Sequence, residues 1–386
     1  SLSHTDSTLR SNWAQHLSIK TLQLKLHQMR KRIRSITIQN QLTAMNHKLL
    51  LKLNTNLDEI TAIINIYTPP VILAFGTIGN ILTIGVLCRK PWRQQSTVFY
   101  LLTLAVANTL ALFIGCSSEW IAYVSKLRSI TILADWLCRV WKFLFNVSVH
   151  FPTWLVLAMT IDRFVMVWSP HRAPHICTVF RSKVVIIFIT VGLICVSIHA
   201  MWTYVLVEHG NAHNCWVGIN HHYFHTRVWP WVQGVIYSYI PLSLLFIFIL
   251  LLSVAMFQRG GEVRILPELN RAVLVISSSY FLFASPATIM NICEYTMPMS
   301  QKQLNDVRAT VYLTRAVLQV CICLNYAITG LCLFVCCPTF RKDIWECLSC
   351  QNCAKNRRGM EEIPTVEING EGIKIEVEES VVTTPL

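Results

Sequence analysis

Residues 143 to 161 have the sequence FLFNVSVHFPTWLVLAMTI, nineteen residues without Asp, Glu, Lys or Arg. A helix of about 20 apolar residues is long enough to cross the roughly 30 Å hydrocarbon core of a bilayer. Six other runs of this kind occur, at Tyr67–Cys88, Thr97–Ser118, Val184–Val207, Val228–Gln258, Ala272–Cys293 and Ala316–Phe340. The sequence therefore predicts an all-α membrane protein whose residues 67–340 form a seven-transmembrane-helix bundle.

The composition agrees with a membrane protein. Of 386 residues, 53% are hydrophobic and 14% are charged, whereas soluble domains carry about 25% charged residues. Hydrocarbon offers no water to open backbone groups, and apolar and polar residues do not alternate as in a barrel, so helices are favoured. The net charge of +13 could indicate nucleic acid, but basic cytoplasmic loops beside anionic membrane lipids explain it better. We expect no nucleic-acid partner, and a plasma-membrane location with the N-terminus outside.

Two segments flank the predicted bundle. Residues 1–66 are basic, with Arg30, Lys31, Arg32 and Arg34 close together. They form either a ligand- or lipid-binding extracellular arm or a disordered segment, and composition favours disorder. Residues 341–386 predict a short amphipathic eighth helix and an acidic, disordered cytoplasmic tail. Because residues 1–20 lack the apolar core of a signal peptide, the first helix is expected to direct insertion.

Two cysteines differ in setting from the other thirteen. Most of those thirteen lie in predicted spans or on the cytoplasmic side, where thiols stay reduced. Cys138 precedes the third span, and Cys215 lies between the fourth and fifth spans on the same face. They are either two free thiols or a disulfide that holds this loop over the bundle, and we expect the disulfide.

Arg163 follows Cys138 by 25 residues, about 37 Å of helix at 1.5 Å per residue. It is therefore predicted at the inner surface. The adjacent Asp162 could restrain its guanidinium until a movement frees it for a partner. The alternative is an arginine at a helix end that reaches the lipid headgroups.

Asp162-Arg163-Phe164 resembles the Asp-Arg-Tyr motif of rhodopsin-like G-protein-coupled receptors, which stands 25 residues after a disulfide cysteine. Gly79-Asn80 is similar to the family's GN pair, and residues 104–108, LAVAN, resemble its LAxAD. Residues 281–286, FLFASP, are similar to FxxCWxP. Residues 324–330, LNYAITG, resemble the LNYAIN form of invertebrate peptide receptors. The closest resemblance is to FMRFamide-type neuropeptide receptors, in a divergent flatworm branch.

The resemblance implies a set of switch positions inside the bundle, namely Asn80, Asn108, Pro241, Phe283, Pro286, Asn325 and Thr329. Several residues at or beside these positions depart from the family pattern. Ala284 replaces the switching Trp, and Thr329 and Gly330 replace the Asn and Pro of NPxxY. Asn108 replaces an Asp, so we expect the family's sodium modulation to be weak or lost.

The resemblance also implies a function. We expect a receptor that binds an extracellular neuropeptide and activates a heterotrimeric G protein through Asp162, Arg163 and Phe164, with arrestin as a further partner. Enzyme motifs such as GxSxG and HExxH are absent from the sequence, and no cofactor, catalytic residue or metal site is expected. Two rivals remain: a receptor-like protein that no longer signals, acting as a ligand sink or partner, and a membrane transporter.

Candidate ligand-binding residues lie near the outer ends of the spans. Phe145 is seven residues after Cys138. In amine receptors, which this position resembles in placement, an Asp there pairs with the ammonium of the ligand, so an apolar ring argues against an amine ligand. Glu119 and Arg315 either bind a charged peptide terminus or pair with each other. Trp216 is either a ligand contact or an aromatic residue at the membrane interface.

Two clusters have metal-ligand residue types. One comprises His213, His221, His222 and His225. Its spacing matches no standard site, so a solvated loop is favoured over metal binding or pH sensing. The other comprises Cys347, Cys350 and Cys353, which lack a fourth ligand. Palmitoylation after the eighth helix is the favoured interpretation.

Overall fold

The computed structural model describes residues 45, 52–89, 92, 95–124, 130–209, 212–259, 267–296 and 301–349. Seven described helices are long and apolar enough to cross a membrane, which confirms the predicted fold class. The chain divides into two units. The smaller comprises Ser1–Ile63 and Ser300–Thr314, and the larger comprises Ile64–Met299 and Arg315–Leu386.

The helices are numbered α1 to α8 in chain order. Their bounds are Lys52–Leu87, Ser96–Ala111, Asp135–Trp168, Val179–Ser197, Ile240–Arg259, Pro267–Thr296, Gln301–Cys336 and, for α8, Pro338–Leu348. After α2 the chain forms a π turn at Leu112–Cys116 and a further helical segment at Ser117–Val124. Short helices follow α3 and α4, at Ala173–Ile176 and Ala200–Thr203.

Between α4 and α5 lies a two-stranded antiparallel hairpin. Strand β1 is Tyr204–His209 and strand β2 is Ala212–Val217, with Leu206 paired to Cys215. Toward α5 the chain forms π turns at Phe224–Val228 and Gly234–Tyr239, separated by the helix Trp229–Gln233. Single 3₁₀ turns occur at Ile130–Ile132 and Ile219–His221.

Three boundaries differ from the sequence prediction. Helix α1 begins at Lys52, so residues 52–66 are helical where a disordered segment was predicted. The fourth span ends at Thr203 and β1 starts at Tyr204, although the charge-free run continues to Val207. Helix α8 begins at Pro338, three residues before the predicted start at residue 341. Charge-free runs measure apolar length, whereas helix ends depend on tertiary contacts. The arm up to residue 44 and the tail from residue 350 lie outside the described residues.

The smaller unit contains the first residues of α1 and of α7. In α1, the Thr61 hydroxyl donates to the carbonyl of Leu57 at 2.8 Å. In α7, the Arg308 guanidinium lies 5.3 Å from the ring centre of Tyr312. Both are contacts within one helix, between residues four apart.

Apolar side chains of the larger unit separate into a buried set and an exposed set. Leu104 and Met159 are fully buried in the largest apolar cluster. By contrast, Phe180 and Phe188 on α4 are about three-quarters exposed, at 75% and 74%, and Phe257 on α5 is 93% exposed. Apolar surface of this extent is unfavourable in water. It fits a bundle surrounded by hydrocarbon.

The π-helical turn at Gly234–Tyr239 ends two residues before the buried Pro241. Because Pro has no N–H, it cannot donate to the carbonyl four residues earlier, at Tyr237, and helices adjust locally at such positions. The Tyr237 side chain is 2% exposed. Its hydroxyl lies 2.6 Å from that of Ser197 on α4, and its ring stacks on His150 of α3 at 4.1 Å. The irregular turn therefore contributes a contact between three helices.

Small residues bring α1 and α7 into backbone contact. A Cβ atom built on Gly330 would lie 2.8 Å from the carbonyl oxygen of Gly79 and 2.9 Å from the Thr83 hydroxyl. A Cβ on Gly76 would lie 2.9 Å from that of Ala327. Only glycine fits at these positions without moving a helix. Small residues at helix interfaces are typical of membrane bundles, and this contact accounts for Gly330 where the sequence comparison leads one to expect Pro.

Replacing Gly330 with Ala is expected to lower the stability of the protein by about 1–3 kcal/mol, because the added methyl group overlaps the α1 backbone. Gly85→Ala is the matched control, since nothing lies within 4 Å of the added Cβ. Thermal unfolding of the two purified variants in one detergent measures the difference. Equal midpoints would contradict the close approach of α1 and α7.

Candidate functional site

The hairpin is held on the first turn of α3, and we call this side of the larger unit the hairpin end. The predicted disulfide between Cys138 and Cys215 is present, with the two Cα atoms 5.5 Å apart. The Asp135 carboxylate accepts a hydrogen bond from the backbone N–H of Leu206 at 2.8 Å. Its second oxygen pairs with Arg139 at 2.6 Å. A covalent bond and a charged hydrogen bond thus fix β1 and β2 against the bundle.

At the same end, Arg315 of α7 pairs with Glu294 of α6. Two guanidinium nitrogens donate to the same carboxylate oxygen, at 2.9 and 3.2 Å. The predicted alternative paired Arg315 with Glu119, and the structure gives Arg315 a different partner. The Glu119 side chain lies outside the described residues. Because the Arg315 side chain is 54% exposed, this ion pair is open to a ligand.

The other two candidate ligand-binding residues stand on separate elements. Trp216 is on β2 and is 65% exposed. Phe145 is half-buried within α3. The hairpin and α3 therefore each contribute one of these two residues.

A second disulfide lies inside the bundle. Cys116, at the end of the α2 π turn, is bonded to Cys323 of α7, with Cα atoms 6.5 Å apart. The expectation that cysteines within spans stay reduced is wrong for this pair. Sequence windows cannot show that residues 207 positions apart face each other across two helices. The bond borders a cavity of about 190 Å³.

Midway along the bundle, Asn108, Tyr280 and Thr329 form a hydrogen-bonded set that we call the polar layer. The Asn108 amide donates to the Thr329 hydroxyl at 3.0 Å, and its oxygen accepts from the Tyr280 hydroxyl at 2.8 Å. All three residues are at most 1% exposed. Helices α2, α6 and α7 are thereby joined through one amide, and the unusual residues at positions 108 and 329 satisfy each other.

The polar layer does not fit a sodium ion. A cation site of this kind uses charged or free oxygen ligands, whereas Asn108 is neutral and both ends of its amide are hydrogen-bonded to protein.

The structure also describes the other residues that the sequence predicts as switch positions. Asn80 donates to the carbonyl of Tyr326 at 3.1 Å. The buried Asn325 side-chain oxygen has no hydrogen-bond partner among the described residues. On α6, Phe283 is half-buried and Pro286 lies within a continuous helix. The neighbouring Phe281 ring stacks on Phe246 of α5 at 5.1 Å. A ring contact between α5 and α6 is therefore made close to where the family pattern places its Trp.

At the opposite side, which we call the α8 end, Arg163 is 1% exposed. Its guanidinium donates to Thr97 at 2.7 Å, to the side-chain oxygen of Asn270 at 3.2 Å and to that of Gln95 at 3.3 Å. We call these four residues the Arg163 site. The site joins α3 to α2 and α6. Its three acceptors are neutral.

Asp162 stands beside this site without a direct ion pair to Arg163 in the described structure. Its carboxylate accepts hydrogen bonds from the hydroxyls of Ser96 and Thr97. Thr97 therefore links the carboxylate to the guanidinium, in place of the direct restraint expected from their adjacency. The thiol of Cys177 donates to the Asp162 carbonyl at 3.5 Å. Burial and the nearby carboxylate raise the pKa of this thiol to about 12, so it is protonated at neutral pH.

Further contacts connect the α8 end to helix α8. The Glu268 carboxylate of α6 accepts from the backbone N–H of Thr339 at 3.3 Å. The Trp92 ring N–H donates to Asp343 at 2.6 Å. Arg89 pairs with Glu346 at 3.4 Å and donates to the half-buried Cys347 thiol at 2.8 Å. Cys350 and Cys353 lie outside the described residues. The first turn of α8 is thus linked directly to the end of α6 that carries Asn270.

Sequence reasoning identified Arg163 but missed Gln95, Thr97 and Asn270. Each is a polar residue within a few positions of a charge-free run. Their position near the end of a span could have indicated that they face other helices, because polar groups there need partners. The sequence could not have shown that their partner is Arg163.

The structure describes the side chains of three of the four histidines near the hairpin end, His221, His222 and His225. His225 shares a hydrogen bond with the Tyr204 hydroxyl at 2.7 Å. Among the described residues, no group of three or more His, Cys, Asp or Glu side chains could hold a metal ion. The side chain of His213 lies outside the described set.

Removing the Tyr280 hydroxyl tests the polar layer. Tyr280→Phe leaves the buried Asn108 oxygen without its donor and is expected to destabilise the protein by about 1–3 kcal/mol. The control Tyr223→Phe, at a side chain 75% exposed, should change stability by less than about 0.5 kcal/mol. Thermal unfolding in detergent measures both. If the two variants unfold together, the Tyr280 hydrogen bond contributes no stability.

Comparison with known proteins finds similar sequences among receptors. The chain is 31% identical to the mouse KiSS-1 receptor over 126 residues, which cover 33% of this chain and 31% of the relative. It is 27% identical to the mouse thyrotropin-releasing hormone receptor over 134 residues, 33% of this chain and 32% of the relative. The aligned segment spans about a third of the length of these curated relatives.

The family comparison covers much more of the chain. The model of the rhodopsin family of seven-transmembrane receptors matches residues 79–353. These residues run from the Gly79-Asn80 pair of α1 to beyond α8 and include both disulfides, the polar layer and the Arg163 site. The matching family is one of receptors, and not of transporters or enzymes. The chain belongs to the rhodopsin family of seven-transmembrane receptors.

Proposed function

We propose that this receptor binds an extracellular peptide at the hairpin end and activates a heterotrimeric G protein at the α8 end, through Asp162, Arg163 and Phe164. The Arg163 site carries the proposal. A buried guanidinium is held there by neutral acceptors on α2 and α6.

The physical argument concerns the stability of that charge. Burying an ion is costly unless it is paired and hydrogen-bonded, and neutral acceptors compensate less than a carboxylate. In the arrangement described here, which we call closed, Arg163 is therefore held by hydrogen bonds that another acceptor can replace. A G-protein segment that offers several carbonyl or carboxylate oxygens would bind Arg163 once α6 moves away.

Helix α6 is the element whose movement would expose Arg163. Its contacts near this end are the hydrogen bonds from Arg163 to Asn270 and from Thr339 to Glu268. Further along, the Ser277 hydroxyl lies 2.6 Å from that of Thr160 on α3. A ligand that favours an outward position of α6 breaks these bonds and shifts the population toward the open form.

Substitutions at the Arg163 site test this mechanism. Arg163→Ala should abolish ligand-driven activation. Asn270→Leu removes an acceptor on α6 and should raise ligand-independent activation, whereas Asn270→Asp offers a carboxylate and should lower it. The measurement is G-protein dissociation in cells, normalised to surface expression. Unchanged ligand-driven activation in Arg163→Ala would reject the assigned role.

Features of the hairpin end support a peptide ligand. The pinned hairpin and the turns after it expose large apolar side chains, among them Trp216 at 65%, Ile219 at 90% and Tyr223 at 75%. Exposed aromatic residues on a rigid element are common contributors to binding energy. The Arg315–Glu294 pair adds a cation and an anion for peptide termini or polar side chains. One relative is named as a receptor for thyrotropin-releasing hormone.

The finer ligand class proposed is an FMRFamide-type neuropeptide. Its support is the likeness of residues 324–330 to invertebrate peptide receptors and the apolar Phe145 at the position where amine receptors carry a carboxylate. A library of amidated peptides, applied to cells expressing this chain with the same G-protein readout, identifies the ligand.

Once an active peptide is identified, Arg315→Ala should lower its potency about tenfold, equivalent to about 1.4 kcal/mol, because the cation near the ligand is lost. Arg315→Lys should keep part of the potency. Arg181→Ala, at an exposed arginine near the α8 end, is the matched control and should leave potency unchanged. Equal concentration–response curves for Arg315→Ala and the control would remove Arg315 from the ligand site.

The proposed orientation places the N-terminus and the hairpin end outside the plasma membrane. Disulfides persist in oxidising compartments, and both described disulfides lie toward the hairpin end. Cys177, Cys337 and Cys347, near the α8 end, are free. This distribution supports a cytosolic α8 end.

Proposals about the cytoplasmic side follow from that orientation. Palmitoylation of Cys347, Cys350 and Cys353 would attach the segment after α8 to membrane lipids. Arrestin is proposed as a second partner of the same end. The extracellular role of residues 1–66 and the disordered character of the acidic tail remain proposals from composition.

A second candidate function is a receptor that binds its ligand without signalling. The observations that favour it are Ala284 in place of the switching Trp and the covalent bond between α2 and α7. Saturable peptide binding at the cell surface without G-protein activation in any variant would support it over the main proposal.

A further inference from the structure

The disulfide Cys116–Cys323 lies on the wall of the cavity between α1, α2 and α7. The polar side chains on this wall are Asn65, Trp120 and Gln319. Apolar residues complete it, among them Ile72 and Val320. Its volume is about 190 Å³, smaller than most sites for drug-sized ligands, which measure about 300–1,000 Å³. Both sulfur-bearing residues therefore border a space that fits only a small reagent.

One side chain on this wall contacts the bond itself. The Gln319 amide N–H donates to the Cys323 sulfur at 3.9 Å. Gln319 stands one helical turn before Cys323 on α7, so the helix holds the amide in position. No such donor to the Cys116 sulfur occurs in the described structure. The two sulfurs of this disulfide thus have different surroundings.

That asymmetry matters for thiol–disulfide exchange. A thiolate attacks one sulfur, and the other leaves with the electron pair as a thiolate. Hydrogen bonding to the charged form stabilises a leaving thiolate. The Gln319 amide is positioned to do this for Cys323, which makes Cys323 the leaving sulfur and Cys116 the attacked one.

We propose that Cys116–Cys323 is a thiol-exchange site for small dithiols that enter this cavity, with Gln319 as the positioning residue for the leaving Cys323 thiolate. In the first step one reagent sulfur bonds to Cys116, the S–S bond breaks, and Cys323 takes the electron pair and then a proton. In the second step the other reagent thiolate attacks the mixed disulfide. Cys116 leaves as a thiolate, the reagent becomes a cyclic disulfide, and the protein holds two thiols.

Opening this bond releases a covalent connection between α2 and α7. The polar-layer hydrogen bond from Asn108 to Thr329 joins the same helices further along. Cys323 and Thr329 are six residues apart, about 9 Å of helix. After exchange, the part of α7 toward the hairpin end is held to α2 by noncovalent contacts alone. The site is therefore a place where a thiol compound can change how firmly α7 is held.

The test uses the full chain purified in detergent with dithiothreitol as the probe. After timed exposure, free thiols are blocked with a mass-coded maleimide, and peptides containing each cysteine are quantified by mass spectrometry. Without reductant, Cys116 and Cys323 should be unlabelled. With dithiothreitol, both should become labelled, and the mixed disulfide trapped early should be on Cys116.

The variants isolate the role of Gln319. Gln319→Leu, which lacks the donor, should slow labelling of Cys116 and Cys323 about fivefold, the effect of one lost hydrogen bond. Gln319→Glu should slow it further through repulsion of the thiolate. Gln258→Leu, at an exposed position of α5, is the matched control and should not change the rate. Cys138–Cys215 supplies an internal reference, whose reduction should be equal in all variants.

Several outcomes would overturn the proposal. Labelling of Cys116 and Cys323 without reductant would show that the bond is absent. An intact bond after Cys138–Cys215 is fully reduced would show that the cavity does not admit the dithiol. Equal rates in Gln319→Leu and Gln258→Leu would remove the positioning role. Because labelling requires no ligand or G protein, failure here is separate from failure of the proposed receptor function.

Discussion

The structure depends on one constraint, which is that polar groups inside hydrocarbon must find partners within the protein. Helices satisfy this for the backbone. For side chains, the polar layer satisfies it by joining three helices through the amide of Asn108. The family pattern places a carboxylate at position 108 and an amide at position 329. Here both are altered together, and an amide and a hydroxyl satisfy each other without a charge.

The same constraint gives the two ends of the larger unit different kinds of connection. At the hairpin end, disulfides join α3 to the hairpin and α2 to α7. At the α8 end, the connections are hydrogen bonds from Arg163 to neutral acceptors and from Thr339 to Glu268. A disulfide does not open without a chemical reaction, whereas hydrogen bonds exchange partners readily. Movement is therefore expected at the α8 end, around the helices that meet at Arg163.

Gly330 shows how a departure from a family motif is accommodated. Its lack of a Cβ allows the α7 backbone to contact that of α1 at Gly79. A Pro at this position would bend the helix and remove a backbone donor. The described α7 instead continues as one helix to Cys336, and close packing against α1 replaces a kink. How far α7 can move relative to α1 and α2 thus depends on this contact and on the Cys116–Cys323 bond.

The sequence by itself determined the seven spans, the disulfide Cys138–Cys215 and the position of Arg163 along α3. Each follows from local quantities, which are apolar length, the order of loops and the rise of a helix. Only the tertiary structure decided which side chains meet. Examples are the bond from Cys116 to Cys323, the pairing of Arg315 with Glu294, and the acceptor of Arg163 on α6. Charge-free runs carry no information on helix rotation or on which faces pack together, and these decide such contacts.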